Sequence, residues 1–118
     1  DFLAAHPNEK HIAIGTFHEI YATAALAAVE TAGRQNDCIM VSNNEYAYLD
    51  YLKANPNPPA NEVYVGAVAF FFDRYGEYLI PAMIDLLEGK NIGEKISVDH
   101  VVITRENANE YFAEYMKG

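Results

Sequence analysis

The 118 residues, 51% of them apolar, fit one domain, and a chain of this size buries roughly two thirds of its unfolded surface on folding. Eight basic against 17 acidic side chains give a net charge of −9 with the Lys and Arg scattered, which excludes a footprint for nucleic-acid phosphates. A single cysteine excludes an internal disulfide; no secretory signal, no apolar run near about 18 residues and no basic amphipathic stretch is present, so nothing spans or coats a membrane.

Asp1 to His6 reads as the end of a helix, stopped near Pro7-Asn8, and the opening Asp in place of Met suggests a processed product or a piece of a longer chain. His11 to Gly15 is a short strand. From His18 to Ala32 the Ala-rich run predicts a helix, with Gly33 as its stop. Cys38 to Ser42 is a second buried strand, in which Cys38 is a small buried hydrophobe rather than a reactive thiol. Asn44 to Ala54 has helical spacing, with Asn43 or Asn44 as N-cap.

Asn55 to Asn61 is a proline-rich loop. Val63 to Ala69 follows as a third strand whose near-continuous apolar character fits burial on both faces, as in a parallel sheet. Asp73 is placed to cap the next helix, in which Leu79, Met83 and Leu87 share a face, Pro81 kinks the axis or sits where the lost bond is tolerated, and Gly89 ends it. Ile96 to Val98 and Val101 to Ile103 are extended in character. Thr104 caps the last helix, with Asn107 where a full capping box has Glu or Gln. The alternation of strand and helix argues an α/β domain with a largely parallel sheet.

Chemistry in such a fold concentrates at the carboxyl ends of the strands. His18, at a strand-to-helix turn, is either a crevice residue or a solvated helix cap. Glu19 either favours the helix dipole or contacts ligand, and Asn44 caps its helix, contacts ligand, or does both. Of Phe70, Phe71 and Phe72, alternate rings face opposite sides, so one enters the core and another reaches the cleft. Phe17 and Tyr46 lie near the same rim, where each ring either stacks on a ligand or packs. The four histidines lack metal-ligand spacing, Ser42 and Ser97 lack a nucleophile elbow, and the glycines are dispersed. No catalytic role, metal or cofactor is expected.

Five segments in order carry a resemblance. They are Ile14 to Arg34, which ends in Ala32-Gly33-Arg34; Ile39 to Asn44; Asp73-Arg74-Tyr75-Gly76; Leu86 to Lys90; and Val102 to Tyr111. Together they resemble the C-terminal part of the type 1 periplasmic binding proteins, the sugar-binding components of ABC transporters. The resemblance implies a three-layer Rossmann-like fold, with residues 1–118 as a partial C-terminal lobe lacking the N-terminal lobe and the opening strands of its own. It also implies that a small polar ligand, a sugar or polyol, is captured between lobes, and that the closed form is delivered to an ABC permease. The partners are then that ligand, the remaining lobe and the permease, with no direct nucleic-acid contact.

Position by position, the family's Asn-Asp pair falls on His18 and Glu19. The Asp ending its Gly-Phe-Asp falls on Asn44, and a Gln falls on Phe70. The implied location is periplasmic or extracellular, with lipid anchoring an option. The alternative is the effector domain of a lactose-repressor-like regulator, which is cytoplasmic; an enzyme on the same scaffold and a receptor sensor module are further classes. The ending Ile103 to Tyr111 looks more like transporter components.

Overall fold

A computed structural model describes residues 2–117; Asp1, where the first helix is expected to begin, lies outside the described residues. The elements are α1 (Phe2–Ala5), β1 (Ile12–Thr16), α2 (Glu19–Thr31), β2 (Cys38–Asn43), α3 (Tyr46–Ala54), β3 (Tyr64–Ala69), α4 (Tyr75–Leu87), β4 (Val101–Ile103), α5 (Ala108–Tyr111) and α6 (Ala113–Lys117). The four strands form one open, mostly parallel sheet in chain order β1-β2-β3-β4, flanked by helices. Two units divide the chain, Asp1–Ala69 with Val102–Gly118, and Phe70–Val101.

In the first unit β1 runs parallel to β2, from Ile12 opposite Cys38 to Thr16 opposite Ser42, and β2 runs parallel to β3. Each parallel pair needs a crossover, and the right-handed hand of such crossovers puts α2 and α3 on one face of the sheet, where they pack against each other. Met40, Tyr48, Leu49, Tyr64, Val29 and Ile103 fill the core beneath them. The sequence predicts a buried second strand over Cys38 to Ser42, and the structure buries Cys38, Met40 and Ser42 but exposes Ile39 and Val41. One face of β2 meets the helices; period-2 geometry turns the other outward.

The β2–β3 register slips once, from Met40 opposite Tyr64 to Val41 opposite Gly66, so Val65 is the extra residue of a bulge. Its carbonyl accepts a hydrogen bond from Tyr48 Oη at 3.1 Å. Burial pushes the Tyr48 hydroxyl pKa up, which keeps it a donor. Next to the bulge, a Cβ on Gly66 would lie 3.0 Å from the Ile103 carbonyl oxygen, so a side chain there presses on backbone. Gly66→Ala is expected to destabilise the fold by about 1–2 kcal/mol in urea unfolding; an unchanged midpoint would show that β4 is not held this close.

The end of α2 follows its sequence. Gly33, at φ +65°, lets its N–H bond the Glu30 carbonyl and the Arg34 N–H bond that of Val29, the two bonds of a Schellman ending. Arg34 then ties the N-terminal segment to the turn before β2: its guanidinium donates to the carbonyls of Leu3 and His6 at 3.3 Å, to that of Glu9, and to the Asp37 carboxylate. Lys10 Nζ reaches the other oxygen of Asp37 at 2.6 Å. Hydrogen bonds from Lys10 and then Arg34 hold this carboxyl below its usual range. Because the folded value is depressed, its stabilisation is present above the unfolded pKa, near 3.8, and is lost as pH falls through the folded one. Asp37→Asn should lower stability at neutral pH and flatten its fall below about pH 4; parallel acid limbs in parent and variant would contradict this.

Several expected helix starts sit elsewhere. The N-cap of α3 is Glu45, one residue beyond Asn44. Thr104 does not cap a long helix: its Oγ1 donates to Glu106 at 2.6 Å, while Asn107 Oδ1 accepts the Thr104 N–H at 2.8 Å, half of a capping box, and α5 and α6 are short separate turns.

The second unit contains a turn of 3-10 helix over Phe72–Arg74 and then α4. Asp73 lies in that turn, and Arg74 precedes α4 as its N-cap. The helix continues through Pro81, and Leu79, Met83 and Leu87 are all exposed, so the shared face is no core face of this unit. Gly89 and Lys90 close α4 with the same pair of bonds that closes α2. Ile96 to Val98 forms no strand.

Candidate functional site

At the carboxyl ends of β1 and β2 the chain turns twice into helices, and both turns carry polar side chains. The first is Phe17-His18. His18 has extended backbone and caps α2, its Nδ1 accepting the Ile20 N–H at 3.3 Å. That bond fixes Nε2 as the protonated nitrogen of the neutral ring and leaves it a donor at the surface. Phe17 is 74% exposed and Tyr21 53%, and their ring centroids lie 5.0 Å apart at 34°. Asn43 Nδ2 donates to the Phe17 carbonyl at 3.3 Å, joining the two turns and leaving Asn43 Oδ1 as an acceptor.

The second turn is built on Asn44, whose φ of +73° is left-handed, a conformation Asn tolerates better than most residues. All its polar groups are engaged. Its N–H bonds the Val68 carbonyl at 3.0 Å, its own carbonyl accepts from Ser42 Oγ at 2.9 Å, and Oδ1 accepts the Glu45 N–H at 3.0 Å. Its Nδ2 donates to Glu19 Oε1 at 2.9 Å. Ser42 has one hydroxyl proton and spends it on Asn44, so the 2.6 Å contact between Ser42 and Tyr64 is a donation from Tyr64. Burial pushes the Tyr64 hydroxyl up to about 12, consistent with a protonated donor.

Glu19 completes the frame. Its Oε2 accepts the Ala47 N–H at 2.9 Å, so a side chain from the first turn of α2 caps the start of α3. This is the carboxylate's role in the structure, alongside its bond to Asn44. Tyr46, the first residue of α3, packs edge-on against Tyr115 at 5.3 Å and Phe112 at 6.3 Å. Tyr115 in turn donates to Asp50 at 2.7 Å, and that bond raises its pKa to about 12.

The structure therefore brings Phe17, His18, Glu19 and Asn44 together at one rim, while Tyr46 packs on Phe112 and Tyr115. Phe70 belongs to the second unit, where its ring stands edge-on to His100 at 6.1 Å. Sequence reasoning missed Tyr21 and Asn43, and also Thr16, whose buried Oγ1 has no hydrogen-bond partner among the described residues. The spacing of Phe17 and Tyr21, four residues apart at a helix start, is the signal that finds the ring pair.

The rim is an open surface. Recesses of about 390, 450 and 570 Å³ lie elsewhere, and none is lined by Phe17, His18, Glu19, Asn44 or Tyr46. The first lies at the opposite edge of the sheet, among His11, Asp37, Cys38 and Glu62. Burial raises the Cys38 thiol pKa and the two cations occupy Asp37, so no nucleophile is prepared there. Among the described residues no group of three or more His, Cys, Asp or Glu is placed to hold a metal, and no helix is long and apolar enough to cross a membrane. No protein-family model matches the sequence, and a search of curated proteins returns no match.

Asn44 is expected to tolerate Gly better than Ala. Both lose the amide bonds, and Ala adds the left-handed penalty of about 1–2 kcal/mol, partly offset by the flexibility Gly adds to the unfolded chain. Asn44→Ala should thus be the less stable variant by about 0.5–1 kcal/mol in thermal or urea unfolding. The reverse order would mean that the left-handed turn does not form.

Proposed function

We propose that the chain is part of the C-terminal lobe of a sugar-type solute-binding protein of ABC transporters, and that the rim is its half of the ligand cleft. The observation that carries this reading is the exposed Phe17–Tyr21 ring pair at the carboxyl ends of parallel strands, beside donor and acceptor groups on His18 and Asn43. An aromatic face suits the C–H side of a sugar or polyol, and a few fixed polar groups suit its hydroxyls. Glu19 and Asn44 serve this site by fixing the two turns, and Tyr46 anchors the start of α3 on Phe112 and Tyr115.

The open form of the rim supports the same reading. A cleft shared by two lobes presents each half as a surface until hinge closure brings the other half over it. The closed form is then the species a permease receives. In this reading the fold is of the Rossmann-like type, the location is periplasmic or extracellular, and the protein binds without catalysis.

The test is an amide NMR titration of this chain with a panel of pentoses, hexoses and polyols. Saturable shifts are expected at Phe17, His18, Tyr21 and Asn43, with affinity weak because one lobe supplies half the contacts. Phe17→Ala should weaken the binding roughly 5- to 30-fold, the equivalent of about 1–2 kcal/mol. A panel with no saturating member at the rim, or a Phe17→Ala protein that binds like the parent, refutes the assignment.

A further inference from the structure

Three of the chain's eight Lys and Arg side chains line one recess of about 450 Å³, together with Leu52, Pro56 and Asn109, and no acidic residue lines it. On a protein of net charge −9 this is a local reversal of sign. The recess lies at the C-terminal end of α3, nine residues or about 13 Å of helix away from the rim at its N-terminal end. Its least exposed cation is Arg105, about a quarter exposed, which is pinned by bonds from one terminal nitrogen to the Asn55 carbonyl at 2.8 Å and from the other to the Glu62 carboxylate. Arg105 Nε is buried and has no hydrogen-bond partner among the described residues. That nitrogen is out of a ligand's reach, but a guanidinium fixed at two corners is preorganised, and each of its terminal nitrogens carries a second N–H besides the one already used.

The two lysines complement it. Lys53 Nζ donates to the Tyr115 carbonyl at 3.1 Å and lies 4.8 Å from that residue's ring centroid, which leaves further N–H donors at the recess. Lys117 Nζ pairs with Glu114 at 2.7 Å, but Lys117 and Glu114 are both exposed, and such a pair contributes little and yields to a stronger anion. Glu62 offsets one positive charge and the exposed Glu114 part of a second, so the attraction rests on Lys53 and on a Lys117 that can exchange partners.

We propose that this recess binds a small oxyanion carrying two or more negative charges, held by Lys53, Arg105 and Lys117. A polyanion such as nucleic acid meets the −9 of the whole chain, whereas a compact anion meets the three cations of the lining, whose acidic partners Glu62 and Glu114 lie outside it. The recess volume falls in the range of small-molecule sites. The site does not depend on the sugar-binding reading, since it shares no residue with the rim.

The experiment is an amide NMR titration of this chain with inorganic phosphate and, separately, with citrate, at ionic strength held constant with NaCl so that general screening is cancelled. Saturable shifts are expected at Lys53, Asn109 and Lys117, with a dissociation constant of about 1 mM or below for at least one of the two anions. Saturation by phosphate alone assigns a phosphorylated ligand, and by citrate alone a polycarboxylate. The Lys53→Gln/Lys117→Gln protein, altered at two surface positions and checked for fold by circular dichroism, should bind at least about tenfold more weakly. Linear, non-saturating shifts with both anions overturn the proposal. So does a double variant that titrates like the parent.

Discussion

The contact between Glu19 and Asn44 is what the rest of the rim depends on. Two turns leave the sheet at neighbouring strands, and nothing in the strand ladder itself fixes where their side chains go. A carboxylate from the first helix accepts from the Asn44 amide with one oxygen and from the Ala47 N–H of the second helix with the other, each at 2.9 Å. The starts of α2 and α3 are thereby set against each other. A charged acceptor at a helix N-terminus is favourable in its own right, so the tie is stabilising before its geometric value is counted. Behind it the chain Tyr64–Ser42–Asn44 carries the same constraint into the core.

Much of the fold was legible in the sequence because its signals are local. The order of strands and helices, the stop of α2 at Gly33 and the rim position of Phe17, His18, Glu19 and Asn44 all follow from periodicity, turn chemistry and the rule that strand ends carry function. Part of what escaped is nonlocal. Asn44 reads equally as a cap or as a ligand contact; Ser42 and Glu45 beside it engage two of its polar groups, but the bonds that commit the other two come from Val68 and Glu19, each more than twenty residues away. The Thr104 helix fails for a local reason: Asn107 is short enough to accept the Thr104 N–H and also reach the Val102 carbonyl, which holds a turn rather than a long helix.

The strand faces teach a related lesson. Cys38 to Val41 is apolar at every position, which matches burial on both sides, yet alternate side chains stand exposed in the first unit. Composition reports what a strand tolerates, and neighbours decide what covers it. The same holds for α4, whose Leu79, Met83 and Leu87 give a clear helical stripe without a buried residue in the helix. Periodicity there identifies the helix correctly and says nothing of where its stripe docks.

Charge and apolar exposure are balanced at the rim. Phe17, Ile20 and Tyr21 place three large side chains in water at the start of one helix, the kind of patch that promotes association. A net charge of −9 opposes self-association at long range, but at physiological salt that repulsion fades over about 8 Å, so it slows encounters and does not protect a patch once two surfaces touch. Protection at contact has to come from shape and from polar groups that a wrong partner leaves unmatched. His18 and Asn43 belong to the same two turns, and in the proposed cleft their free polar atoms would be left unmatched by an apolar surface and met by a hydroxyl-bearing ligand.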